Sequence, residues 1–176
     1  MATQEKVMHR LEELHDSGYE VIDGQPDITG WNVKTRSGKK AGEVSDMLFE
    51  QSTRKVRYLV VDLDDNELGM EEDREVLIPI GIAELYTKSG DNHHNRNIDP
   101  AFESYDPARD GNVVFLPGVS AEQLDALPLY EKNHLSLHLE MAIRKILEPA
   151  GAHHDQDEFY KHEYYNDDKF YRHKVK

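Results

Sequence analysis

No cysteine occurs anywhere in the 176 residues. That excludes disulfides, thiol nucleophiles and cysteine-ligated zinc or iron–sulfur centres. Tryptophan is nearly as scarce: Trp31 is the single example, and its place in an alternating apolar run assigns it to the core. Long hydrophobic runs are missing as well. No apolar stretch approaches the roughly 18–20 residues of a spanning helix, and the opening MATQEKVMHRLEELHDSG has no signal-peptide core. The expectation is a soluble, cytoplasmic protein with no membrane insertion. Basic residues are in deficit, with 21 Lys and Arg against 35 Asp and Glu, for a formal net charge of -14. Acids outnumber bases in each of Met1–Pro26, Asp27–Leu147 and Glu148–Lys176. Nucleic-acid affinity comes largely from cations neutralising phosphates, so direct nucleic-acid binding is not expected. Catalytic signatures are also missing: there is no GxSxG, P-loop or GxGxxG. The chain reads as a non-enzyme with no cofactor.

The sequence that remains has a clear organisation. Val7, Leu11 and Leu14 fall at helical spacing before Gly18, which predicts an amphipathic helix over Gln4–Ser17. Short alternating runs then predict strands at Ile28–Lys34, Gly42–Phe49, Val56–Leu63, Glu75–Ile80, Ile82–Tyr86 and Val113–Leu116. Pro79 cannot donate to a ladder, which places it at an edge or bend, and Gly81 permits a corner. Between the last two strands, Lys88–Asn112 is a long polar excursion. SAEQLDAL carries a capping box, Ser120 with Gln123, at the start of a short helix that Pro128 stops. A further helix is predicted from about Asn133 to Leu147. The tail Ala152–Lys176 is rich in His, acids and Tyr, without apolar periodicity. Four segments follow: a helical arm over 1–26, a barrel over 27–130, a helix over 131–150 and a flexible His- and acid-rich tail over 151–176.

One succession of small motifs resembles a known family. Gly30-Trp31-x-Val33 is followed by Gly38-x3-Gly42-x-Val44-x-Asp46, then Val56-Arg57-Tyr58-Leu59-Val60-Val61, then Val76-Leu77-Ile78-Pro79. Order and spacing resemble the PRC-barrel family, typified by the cytoplasmic barrel of the photosynthetic reaction centre H subunit, with a related barrel in a ribosome-maturation factor. The resemblance covers roughly Asp27–Tyr130. It implies a mainly β fold with a small antiparallel barrel, and a module that docks on other proteins and is not an enzyme; the predicted N- and C-terminal α-helices would flank that barrel. Unlike the H subunit, this chain shows no N-terminal transmembrane stretch. Gly38 and Gly42 suit a corner needing either positive φ or close backbone approach.

Three readings of function follow. The first is a self-associating adaptor, a dimer being favoured, that also binds an unidentified protein. Its interface candidates are Leu135, Leu139, Met141, Ala142, Ile143 and Ile146, an apolar stripe wider than a small barrel needs. The second is a metal or small-ligand sensor. His134 and His138 would share a helix face, and His93-His94, His153-His154, Asp155, Asp157, Glu158 and His162 supply further ligands. Surface histidines and a solvated tail are the plainer reading of the same residues, so no metal site is assigned. The third is a ribosome-associated accessory factor that binds a basic protein. Asp62, Asp64 and Asn66 imitate the start of a calcium loop, but position six is Glu67 rather than Gly, so the loop Asp62–Glu75 reads as a solvated hairpin tip able to steer a basic partner. Asp46 reads as a structural carboxylate, paired with Arg57 or a backbone N–H.

Overall fold

A computed structural model describes residues 11–21, 27–87, 105–132, 134–147 and 165. Its centre is the most β-branched run of the chain. Strand β4, Lys55–Asp62, is buried continuously from Arg57 to Val61 instead of on alternate residues. Both of its faces are therefore covered, and each buried Val or Leu contributes about 1.5–3 kcal/mol. Around it the described residues form one seven-stranded sheet, with β1 at Leu11–Glu13, β2 at Asn32–Thr35, β3 at Lys40–Glu50, β5 at Glu75–Pro79, β6 at Glu84–Tyr86 and β7 at Val113–Leu116.

The spatial order is β5-β4-β3-β2-β7-β6, with β1 on β3. The sheet is open, because no strand pair joins β5 to β6 among the described residues. This corrects the expected closed barrel. Its two ends are nonetheless neighbours in the chain, linked by a 3-10 turn, Ile80–Ile82, at the Gly81 corner. Pro79 ends β5, the terminal strand of the path, where a missing N–H leaves no inner ladder broken. The antiparallel expectation also needs amending: β2 pairs with β7 in parallel, Asn32–Thr35 against Val113–Leu116.

Strand β3 is the longest and is bent by two bulges, one between Val44 and Asp46 and one between Leu48 and Phe49. A bulge inserts one unpaired residue and resets which side chains face the core. Met47, Leu48 and Phe49 are consequently all buried, where strict alternation would have exposed one or more. Gly38 has φ of 79°, and the turn it makes connects β2 to β3. Gly42 answers the other requirement. An added Cβ there would sit 2.0 Å from the Asp62 carbonyl oxygen, so β3 and β4 approach closely only because position 42 has no side chain.

The expected N-terminal helix is overturned within the described residues. Leu11–Glu13 is strand, paired with Glu50–Leu48, and only Leu14–Ser17 forms a helical turn, α1, closed by Gly18 at φ 74°. Strand β2 covers only Lys40–Glu43 of that edge of β3, so the far half offers unpaired backbone groups that β1 satisfies. Pairing of this kind overrides a weak local helical preference. Residues 4–10 of the expected helix lie outside the described residues.

Three further helices follow among the described residues. A turn, α2, at Pro107–Asp110 lies within the predicted polar excursion. Asp110 accepts from Lys34 Nζ at 3.0 Å, which fastens the end of the excursion to β2. Its neighbour Arg109 donates the hydrogen bond that does most to hold the Asp110 carboxyl well below the usual range, against the effect of burial. Helix α3, Ala121–Ala126, has the expected capping box: Ser120 Oγ accepts from Gln123 N at 3.1 Å, and Ser120 N donates back to Gln123 Oε1 at 2.9 Å. Helix α4 spans Leu137–Leu147. Ser136 Oγ accepts from Leu139 N at 3.1 Å, so the helix starts after Ser136 and not at Asn133.

Candidate functional site

Two groups of polar side chains stand out, and they are built in opposite ways. The first lies under α4. Glu50, at the end of β3, receives both Nε and Nη2 of Arg57 on its Oε2, at 3.1 and 2.7 Å. Ser52 and Thr53, in the turn after β3, donate to the same carboxylate at 3.3 and 3.0 Å. Burial pushes the Glu50 carboxyl up, but the Arg57 hydrogen bond, then those of Thr53 and Ser52 with the Arg57 charge, outweigh it and hold the group below its ordinary value. One strand along, Tyr58 Oη donates to Glu140 Oε1 of α4 at 3.0 Å.

Into this group fits Tyr165, which is 1% exposed. Its hydroxyl lies 2.8 Å from that of Tyr58, and its main-chain carbonyl accepts from Arg57 Nη1 at 3.4 Å. Its ring meets Tyr58 edge-on, with centroids 5.3 Å apart, and the Arg144 guanidinium lies 5.8 Å over its centroid. The sequence reading placed Tyr165 in a flexible tail. No local pattern marks it, because Arg57, Tyr58 and Arg144, which it meets, lie far away in sequence.

The second group is the loop between β4 and β5. Asn66 organises its middle: Nδ2 donates to the Leu63 and Met70 carbonyls at 2.8 and 3.0 Å, and Oδ1 accepts from Leu68 N and Met70 N at 3.1 and 3.0 Å. Asp62 accepts from Asp64 N at 3.0 Å, Asp64 from Asp73 N at 2.6 Å, and Glu67 from Lys40 N at 2.8 Å. The carboxylates that imitate a calcium loop are therefore spent on the loop's own N–H groups. Arg74 reaches across to α3, donating to the Asp125 and Leu127 carbonyls at 3.3 and 2.9 Å. That satisfies carbonyls at a helix end and pins the loop. Asp64, Asp65, Glu67, Glu71, Glu72 and Asp73 are left exposed on a rigid support. At the loop's exit Glu75 is pushed above its ordinary value by burial, then by the charge of Asp62.

The six stripe residues of the last helix are placed mostly inward. Ile143 belongs to the core, and Leu135, Leu139 and Ile146 pack against it. Ala142 is half-buried, and Met141 is exposed. His134 precedes α4, lies 3.1 Å from Glu131 Oε2 and does not share a helical face with His138. Among the described residues no three His, Asp or Glu are grouped to hold a metal ion. The remaining candidate ligands, His93, His94, His153, His154, Asp155, Asp157, Glu158 and His162, lie outside the described residues. Asp46 accepts from Met47 N at 2.7 Å, and Arg57 is taken by Glu50 instead. An open groove of about 510 Å³ runs between Thr35–Ser37, Leu68 and Pro117–Gln123, and Ser120 and Gln123 in it are engaged in the capping box. No described helix is long and apolar enough to cross a membrane.

Residues 20–93 match the family model of the PRC-barrel domain, so the chain carries a PRC-barrel domain. The match ends before β7, α3 and α4, although β7 completes the same sheet. No curated protein matches the chain.

Proposed function

We propose that this PRC-barrel chain is a non-catalytic, cytoplasmic interaction module that docks a basic protein surface through the loop Asp62–Glu75. The observation that carries the reading is the loop's construction. Its backbone is immobilised by Asn66, Asp64 and Arg74, while six carboxylates face outward. A fixed array of like charge costs little to order on binding and steers a complementary partner toward it. The net charge of -14 extends the same field over the whole chain. A basic ribosomal protein is one partner class of this chemistry.

The test compares the wild-type chain with a variant carrying Asp64→Asn, Asp65→Asn, Glu71→Gln and Glu72→Gln. Basic proteins captured from cytosol at low salt should be lost from the variant, and from the wild type at high salt. An identical captured set for both chains at every salt concentration contradicts the reading. Self-association through α4 is a separate proposal. With Ile143 in the core, a dimer there would be built around Met141. Sedimentation showing only monomer at high micromolar concentration rules it out.

A further inference from the structure

We infer that the group Arg57, Tyr58, Glu140 and Arg144 is a receptacle for a peptide tyrosine, occupied in cis by Tyr165 and open to a tyrosine-bearing segment in trans. Three separate features of a tyrosine residue are read there. Arg57 Nη1 donates to its main-chain carbonyl at 3.4 Å. Tyr58 Oη lies 2.8 Å from its hydroxyl. The edge of Tyr58 and the Arg144 guanidinium, 5.8 Å from the ring centroid, enclose its ring. Phenylalanine would lose the second feature, and a free phenol would lose the first.

Two walls of the receptacle, Arg57 and Tyr58, are also held in place by residues other than the occupant. Arg57 is oriented by Glu50, which Ser52 and Thr53 fix in turn. Tyr58 is oriented by Glu140 from α4. All of these belong to β3, β4, the turn between them and α4, whereas Tyr165 comes from beyond α4, 107 positions from Tyr58. A site preorganised by its own second layer of contacts loses little on exchanging one tyrosine for another. An occupant on the same chain competes with any other, which masks the site from weaker binders. This inference stands apart from the acidic loop, which shares no residue with the receptacle.

The test uses full-length chains and a fluorescent peptide of residues 158–172. The peptide should bind the Tyr165→Ala chain at least ten-fold more tightly than the wild type. A peptide carrying Tyr165→Phe should bind the same variant several-fold more weakly. Equal affinity for both chains, or no binding to a Tyr165→Ala chain with native circular dichroism, overturns the inference. If that variant does not fold, the wild type decides. Excess peptide should then speed proteolytic cleavage of the wild-type tail several-fold, and an unchanged cleavage rate overturns the inference.

Discussion

The polar group beneath α4 and the loop Asp62–Glu75 use the same chemistry to opposite ends. Beneath α4, Glu50 and Arg57 neutralise each other at 2.7 Å with side chains 8% and 10% exposed. In the loop the carboxylates accept from backbone N–H groups, and six of them are exposed. Taking a charge out of water costs several kcal/mol, and only a well-placed partner offsets it. An exposed carboxylate meets no such cost, so the loop can concentrate like charge where the interior cannot. Arg74 marks the boundary, since it is spent on the carbonyls at the end of α3 and, at 3.4 Å, on the Asp125 carboxylate of that helix rather than on the loop's acids.

The sharpest way to break this contrast is to remove one member of the buried pair. Arg57→Ala strands Glu50 and is expected to cost about 3–5 kcal/mol in urea denaturation. Asn66→Ala, which deletes four hydrogen bonds in the loop, should cost less, about 2 kcal/mol. Asp65→Asn, on an exposed residue, should stay within about 0.5 kcal/mol of wild type.

Acidity separates the two regions by sign. Glu50 is held below its ordinary value, so the folded state binds its proton less tightly than the unfolded chain does. Its contribution is fully present above the unfolded carboxyl value and is lost as pH falls through the lowered one. Glu75, at the loop's exit, is raised. It favours the folded state at low pH, and that contribution is lost as pH rises through the raised value. Glu50→Gln should flatten the acid limb of the stability profile, whereas Glu75→Gln should steepen it. Stability profiles of the two variants that moved in the same direction would be inconsistent with these environments.

Much of the sheet was legible because β-branched alternation, Gly turns and Pro79 are local signals. Val113–Leu116 forms a strand with the bounds its residues suggest, and Ser120 with Gln123 caps α3 as the sequence indicates. What local pattern could not show was partner choice. Leu11 looks helical in its own neighbourhood but pairs with Glu50. Bulges in β3 brought Met47 inward against the expected alternation. Arg57 chose Glu50 over Asp46 because the bulged strand presents Glu50 to it, seven residues away across a hairpin. Tyr165 had no local signal at all. Of the site, the acidic loop was readable from composition, but its hydrogen-bonded rigidity was not.

In the proposed docking the loop itself meets the partner. The most direct measurement is zero-length carbodiimide coupling of the captured complex, which joins carboxylates only to amines in contact, followed by mapping of the joined residues. Docking through the loop should give bonds from Asp64, Asp65, Glu71, Glu72 or Asp73 to lysines of the bound protein. Bonds confined to carboxylates elsewhere, such as Glu122 or Glu131, would contradict it.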